Sequence, residues 1–204
     1  MSCARRDALA AHALFTDTLG GDSTVLIDQK ATRSALEEQF SRLAKCDKDD
    51  VIVVVFSGHG TPTHELVTYD ADPDNLRDTG IPLALLAEWF SRIPASRLLC
   101  ILDCCFSGGI GAKVFQDGMV SRDLASTTDI LDQISGEGRL IFTASLATQP
   151  AWENQRLGHG LLTYYVLEAL QGAGEVRQAG KITVYALLQY VTQRVEADAQ
   201  QLGK

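Results

Sequence analysis

Three features are scarce in this sequence, and each scarcity excludes something. Cysteine pairs with ligand spacing are missing. The five cysteines are odd in number, Cys104 and Cys105 are adjacent, and no C-x-x-C occurs. A disulfide framework is therefore excluded, and a reducing compartment, the cytoplasm, is the expected location. A basic surplus is missing too: 18 Lys and Arg stand against 26 Asp and Glu, a net charge of −8. Nucleic-acid binders normally carry a basic face, so no nucleic-acid partner is expected. Long apolar runs are the third absence. No stretch approaches the roughly 20 residues that span a bilayer. Arg5 and Arg6 are not followed by a continuous apolar segment, so neither membrane association nor a secretory leader is expected.

What is present belongs to a globular chain. Its 204 residues are 46% hydrophobic and 22% charged, with no internal repeat and no low-complexity linker. One domain over 1–204 is expected. Helix periodicity runs through 4–18, with Ala8, Ala11, Phe15 and Leu19 on one stripe and a Gly-Gly stop behind them. Residues 23–28 read as a short strand. Thr32 is placed to cap a helix whose Leu36, Phe40 and Leu43 face the core. Residues 51–56 are a continuous β-branched and aromatic run, the pattern of a strand covered on both faces. A helix over 81–93 follows, with Pro82 in its first turn, then buried strands over 97–103 and 139–145. Residues 107–138 between them read as a long functional loop. Two closing helices complete the chain. The second carries the stripe Val184, Leu187, Leu188, Val191 and Val195. Strands alternating with helices predict an α/β fold with a mostly parallel sheet.

Ligands of such sheets sit beyond the carboxyl ends of the strands. Two places there carry chemistry: Ser57-Gly58-His59-Gly60 after one buried strand, and Asp103-Cys104-Cys105 after another. Cys105 follows His59 by 46 positions, about one strand–helix–strand crossover. If the two strands are neighbours, imidazole and thiol emerge on one edge. That is the minimum for nucleophilic catalysis: the imidazole favours the thiolate and later protonates the leaving amine. The flanking glycines let a substrate carbonyl approach backbone N–H groups that bind an oxyanion. Residue chemistry alone leaves open which of the two thiols reacts. Cys100, inside the strand, reads as a small buried hydrophobe, and His12 and His64 read as surface residues.

The segments VVVFSGHG and LCILDCCFSGG together resemble the caspase-like cysteine peptidases, in particular the metacaspases and their bacterial relatives of orthocaspase type. The likeness runs along nearly the whole chain, from SCARRDALAAHALF to HGLLTYYVLEALQG. It implies a caspase-like three-layer sandwich, a mostly parallel central sheet with helices on both faces. It also implies a Cys-His endopeptidase. In the family pattern the nucleophile lies two residues after an aspartate, which matches Asp103 and Cys105 and leaves Cys104 in the variable position. His59 matches the base, and the backbone N–H groups of Gly60 and Cys105 match the oxyanion donors. The metacaspase likeness further implies cleavage after Arg or Lys, with Asp103, Asp7 and Ser57 lining an acidic S1 pocket. Asp7 alternatively reads as an ordinary first-turn acid of its helix.

The same likeness implies self-processing in the 110–138 loop, where Arg122 is the expected cleavage point, with Lys113 and Arg139 the other basic residues. Trp152 and Glu153 are read either as subsite residues or as packing. Protein or peptide substrates with a basic P1 residue are the expected partners. The family's opening strand has no counterpart before the first helix, and the resemblance leaves three readings of that: a truncated chain, a misplaced start, or a regulatory partner protein that supplies the strand. No cofactor is expected. Family resemblance allows calcium dependence, but the family's acidic run directly after the histidine is absent. Asp70, Asp72, Asp74 and Asp78 read as a polar turn, and no metal site is predicted. The rival from another class is a catalytically silent caspase-like scaffold.

Overall fold

β-branched and aromatic side chains fill the first apolar run, and that run becomes the first strand. In a computed structural model describing residues 3–104, 138–144, 153–154, 157–173, 176–178 and 180–202, the elements follow the predicted alternation. They are α1 (Ala4–Ala13), α2 (Arg33–Leu43), β1 (Val51–Ser57), β2 (His59–Gly60), β3 (Glu65–Val67), α3 (Leu76–Thr79), β4 (Ile81–Pro82) and α4 (Leu83–Ser91). After these come β5 (Arg97–Asp103), β6 (Arg139–Thr143), β7 (Glu153–Asn154), β8 (His159–Gly160), α5 (Leu161–Leu170), β9 (Arg177–Gln178), β10 (Lys181–Ile182) and α6 (Val184–Leu202). They group into two units, Leu26–Pro150 and a second made of Met1–Val25 with Ala151–Lys204.

The first unit holds the parallel sheet, in the order β1-β5-β6. β1 and β5 run in register from Val51 opposite Arg97 to Ser57 opposite Asp103, and β5 pairs β6 from Leu98 opposite Arg139. Side chains alternate along a strand. Ile52 of β1, Leu98, Cys100 and Leu102 of β5 and Ile141 of β6 therefore enter one core, with Phe40 of α2 and Trp89 and Phe90 of α4. Phe40 stacks tilted on Trp89 and edge-on to Phe90, each at 5.1 Å between ring centroids. Deleting the Phe90 ring would cost about 3–5 kcal/mol. Thr32 caps α2 as expected, its hydroxyl accepting the Ala35 N–H at 3.2 Å. Arg139 donates to the carbonyls of Phe90, Ile93 and Ala95. It thereby ties β6 to the end of α4 and to the turn that follows it.

The two apolar runs differ in depth. β5 is buried on both faces: Cys100 and Leu102 on one, Ile101 and Asp103 on the other. β1 is only half-buried past Ile52, and Val51 is exposed. This corrects the expectation of a strand covered on both faces. Among the described residues β1 has one sheet neighbour, β5. The strand expected at 23–28 is also corrected. Ile27 is extended (φ −134°, ψ 149°), but no ladder partner pairs with it among the described residues, and the chain enters a single 3-10 turn at Asp28–Lys30. Pro82 caps α4 rather than lying in its first turn.

In the second unit α1 widens into a π-helical turn over Leu14–Thr18, closed by the Leu19 N–H to the Leu14 carbonyl at 3.0 Å. Its buried face is Cys3, Asp7, Ala11 and Leu14, and Leu19 is exposed. The stripe is thus rotated from the expected one, because an aspartate occupies a buried position. α5 and α6 pack together, joined by the Tyr165 hydroxyl donating to Asp198 at 2.7 Å and the Tyr190 hydroxyl to Glu168 at 2.6 Å. Leu187 and Val191 carry the buried stripe of α6, while Val184 is exposed. No described helix is long and apolar enough to cross a membrane.

Candidate functional site

The carboxyl ends of β1 and β5 finish level. Ser57 lies opposite Asp103, and the Gly58 N–H donates to the Asp103 carbonyl at 3.1 Å. This one edge therefore carries Ser57, His59, Gly60, Asp103 and Cys104, as the parallel-sheet rule anticipates. Asp103 is fully buried; His59 is exposed.

A hairpin holds His59. β2 and β3 pair antiparallel, His59 opposite Val67 and Gly60 opposite Leu66. Pro62, Thr63 and His64 form the loop between them. The His64 N–H donates to the Thr61 carbonyl at 3.0 Å, and the Thr61 N–H to the Glu65 carbonyl at 2.9 Å. His64 is left-handed, φ 74°. This is the three-residue hairpin loop with a left-handed third residue, a place usually taken by glycine, and it costs a non-glycine residue about 1–2 kcal/mol. His64 is half-buried rather than a surface residue, as is His12, whose Nδ1 lies 2.8 Å from the Ser23 hydroxyl. The ladder also fixes a direction. Hydrogen-bonded and non-hydrogen-bonded pairs alternate along antiparallel strands. Since Thr61 bonds Glu65, Gly60 opposite Leu66 is a non-hydrogen-bonded pair, and its N–H is directed away from β3.

The cysteines separate by depth. Cys100 and Cys104 are both fully buried in the apolar core shared by α2, α4 and the sheet. Burial pushes the Cys100 thiol far above its ordinary range, so it remains an inert thiol. Cys105 lies outside the described residues, as do Lys113, Arg122 and Trp152, and nothing is described of the Glu153 side chain. Arg139 is engaged by its three carbonyls.

Asp7 belongs to the second unit. It is fully buried, and its Oδ1 lies 2.7 Å from Nδ1 of His159, which is 21% exposed. Its Oδ2 accepts the Gly160 N–H at 3.3 Å, at the N-cap of α5, where a negative charge is favoured by the helix dipole. His159 was missed by reading the sequence. The available signal was a second Gly-His-Gly triplet, 158–160, repeating the one at 58–60.

The acidic stretch behind β3 is tied into local structure. Asp70 Oδ1 accepts the Arg33 N–H at 3.0 Å and Asp72 Oδ1 the Asp74 N–H at 3.0 Å. Partial burial works against the Asp70 carboxylate, but its hydrogen bonds from the Arg33 N–H and Thr68 outweigh that and hold it below its ordinary range. Among the described residues no group of three or more His, Cys, Asp or Glu is arranged to hold a metal ion.

With this sheet edge in place, the caspase-domain family model matches residues 2–204. This chain belongs to the caspase-domain peptidases. The match spans both units of this caspase domain, and membership makes it a cysteine-peptidase-type hydrolase domain whose substrates are proteins. No curated protein matches the chain.

Proposed function

We propose that the protein is a Cys-His endopeptidase of metacaspase type that cleaves after Arg or Lys. The observation that carries this reading is the separation of roles at one sheet edge. His59 is exposed there, Asp103 lies opposite Ser57 in register, and Cys104 is sealed in the core; of the adjacent pair, Cys105 is assigned as the nucleophile. His59 takes the Cys105 proton, and the thiolate sulfur attacks the scissile carbonyl carbon. The oxyanion is held by the N–H groups of Gly60 and Cys105. His59 then gives its proton to the leaving amine, and water hydrolyses the thioester, restoring the thiol.

Asp103 is a fully buried carboxylate, and a buried charge favours a partner of opposite sign. A P1 guanidinium is such a partner and binds carboxylates in a forked geometry. Ser57, its register neighbour, lines the same pocket. Asp7 is proposed as a second S1 acid on the family resemblance alone, since its described partners are His159 and Gly160. Both units then act as one functional domain, in a reducing compartment. Self-cleavage is assigned to Arg122, whereas Arg139, held by three carbonyls, is protected from it.

Fluorogenic peptides ending in Arg, Lys or Asp test the assignment: turnover of the basic pair is expected, and it disappears in Cys105→Ala while Cys104→Ala retains most of it. Preference for Asp would overturn the S1 reading. Failure of an Arg-chloromethylketone to label Cys105 would favour the scaffold alternative. Intact mass after incubation, wild type against Cys105→Ala and Arg122→Ala, reports self-cleavage.

A further inference from the structure

We propose that Thr61, Thr63 and Glu65 form a positioning cage that aims His59 and the Gly60 N–H, an inference that rests on the peptidase reading above. Glu65 is an unusual residue for its place. It is 5% exposed, and Thr61 beside it is also 5% exposed. Both threonine hydroxyls donate to the same carboxylate oxygen, Oε2: Thr63 at 2.7 Å, and Thr61 in a closer contact. The Thr61 hydroxyl in turn accepts the Glu65 N–H at 3.0 Å. A carboxylate buried this deeply is a costly choice where an apolar side chain would pack, so the cage needs a purpose beyond burial.

Its position supplies one. The cage closes the loop whose preceding residues are His59 and Gly60, and the loop contains the left-handed His64. The chain is also fixed from outside. The Leu83 N–H at the start of α4 donates to the His64 carbonyl at 3.1 Å. Gly80 makes the room, for a Cβ there would lie 2.8 Å from the Glu65 Cβ and 2.7 Å from the Leu76 carbonyl oxygen. A strained loop held on several sides is a way to keep a backbone donor and an imidazole in one orientation. Misplacing reacting groups by about 1 Å costs on the order of 10²-fold in rate. Thr61 and Glu65 are thus positioning residues that act through His59 and Gly60.

The test compares Thr61→Val, which keeps shape and loses the hydroxyl, with Thr61→Ser, which keeps the hydroxyl, and adds Glu65→Gln. Thr61→Val and Glu65→Gln are expected to lower kcat by about tenfold or more with KM within about twofold, and to move the pH profile of kcat/KM. Thr61→Ser is expected to recover to within about threefold of wild type. If Thr61→Val lowers Tm but leaves kcat and the pH profile unchanged, the cage is only structural and the inference is overturned. Should Glu65→Gln not fold, Thr63→Val, on the exposed side of the cage, provides the second reading with the same two outcomes. If wild type cleaves no peptide, the peptidase reading fails separately. The cage is then judged by NMR titration of the His59 ring in wild type and Thr61→Val: a displaced midpoint supports it, and identical curves overturn it.

Discussion

The chain contains the same three residues twice, Gly58-His59-Gly60 and Gly158-His159-Gly160, and each unit makes a different object of them. The first follows a parallel strand and opens a hairpin, so His59 projects exposed from the sheet edge. The second precedes helix α5, and its imidazole meets a fully buried carboxylate, Asp7, at 2.7 Å. One histidine is presented to solvent; the other is spent on holding two helices' ends together. A triplet does not specify a role. The element it follows and the partner that reaches it do.

Removing each imidazole should break the comparison in opposite directions. His59→Ala is expected to lower kcat/KM on an Arg peptide by about 10²–10⁴-fold, the usual worth of a general acid–base, with its thermal midpoint little changed. His159→Ala strips a buried carboxylate of a hydrogen-bond donor. It is expected to cost about 1.5–3 kcal/mol in denaturant unfolding, with the surviving folded fraction keeping its kcat. Equal stability losses in the two variants would erase the distinction.

The glycines sharpen it on a smaller scale. Gly158 has φ +71°, and a Cβ there would run into the Arg6 guanidinium. Gly158→Ala is expected to cost about 1–2 kcal/mol from the left-handed backbone alone. A Cβ on Gly58 would meet only the Phe56 ring, at 3.0 Å, the far end of a side chain that can give. Gly58→Ala should stay within about 0.5 kcal/mol of wild type. Paired unfolding curves of the two variants decide this.

The smallest effect concerns alkaline pH. Burial and the neighbouring carboxylates Asp198 and Glu168 raise the Tyr165 phenol far above its ordinary value, and burial with Glu168 raises Tyr190. A raised folded pKa means stability fully present below the unfolded value of about 10 and lost as pH rises through the folded one. The α5–α6 pairing behind the second triplet is therefore expected to weaken above about pH 10. Tyr165→Phe with Tyr190→Phe should flatten that limb; an unchanged slope would show that other groups carry it.

Much of the fold was legible. The two apolar runs, the Thr32 cap, the α2 stripe and the strand-end histidine all depend on local spacing, and each was recovered at or near its observed place. The failures were nonlocal. Residues 51–56 and 97–103 read alike as covered strands, but β5 has a neighbour on each side and β1 has one among the described residues. Residues 23–28 had the composition of a strand without a partner to pair with. Asp7 was legible as an acid near a helix start; that it faces inward follows from a histidine 152 residues away.

What the amino-acid order alone determined is the list of chemically capable residues and the strands that carry them, because alternation and turn residues act over a few positions. It pointed to His59 and Asp103 at strand ends and to two adjacent thiols. Tertiary structure decided which of the described ones are buried and which are exposed. Parallel pairing brought Ser57 and Asp103 level, side-chain alternation sent Cys104 into the core, and the hairpin's hydrogen-bond parity turned the Gly60 N–H outward. Those outcomes depend on which strand lies beside which, and burial and pairing are properties of neighbours in space rather than in sequence.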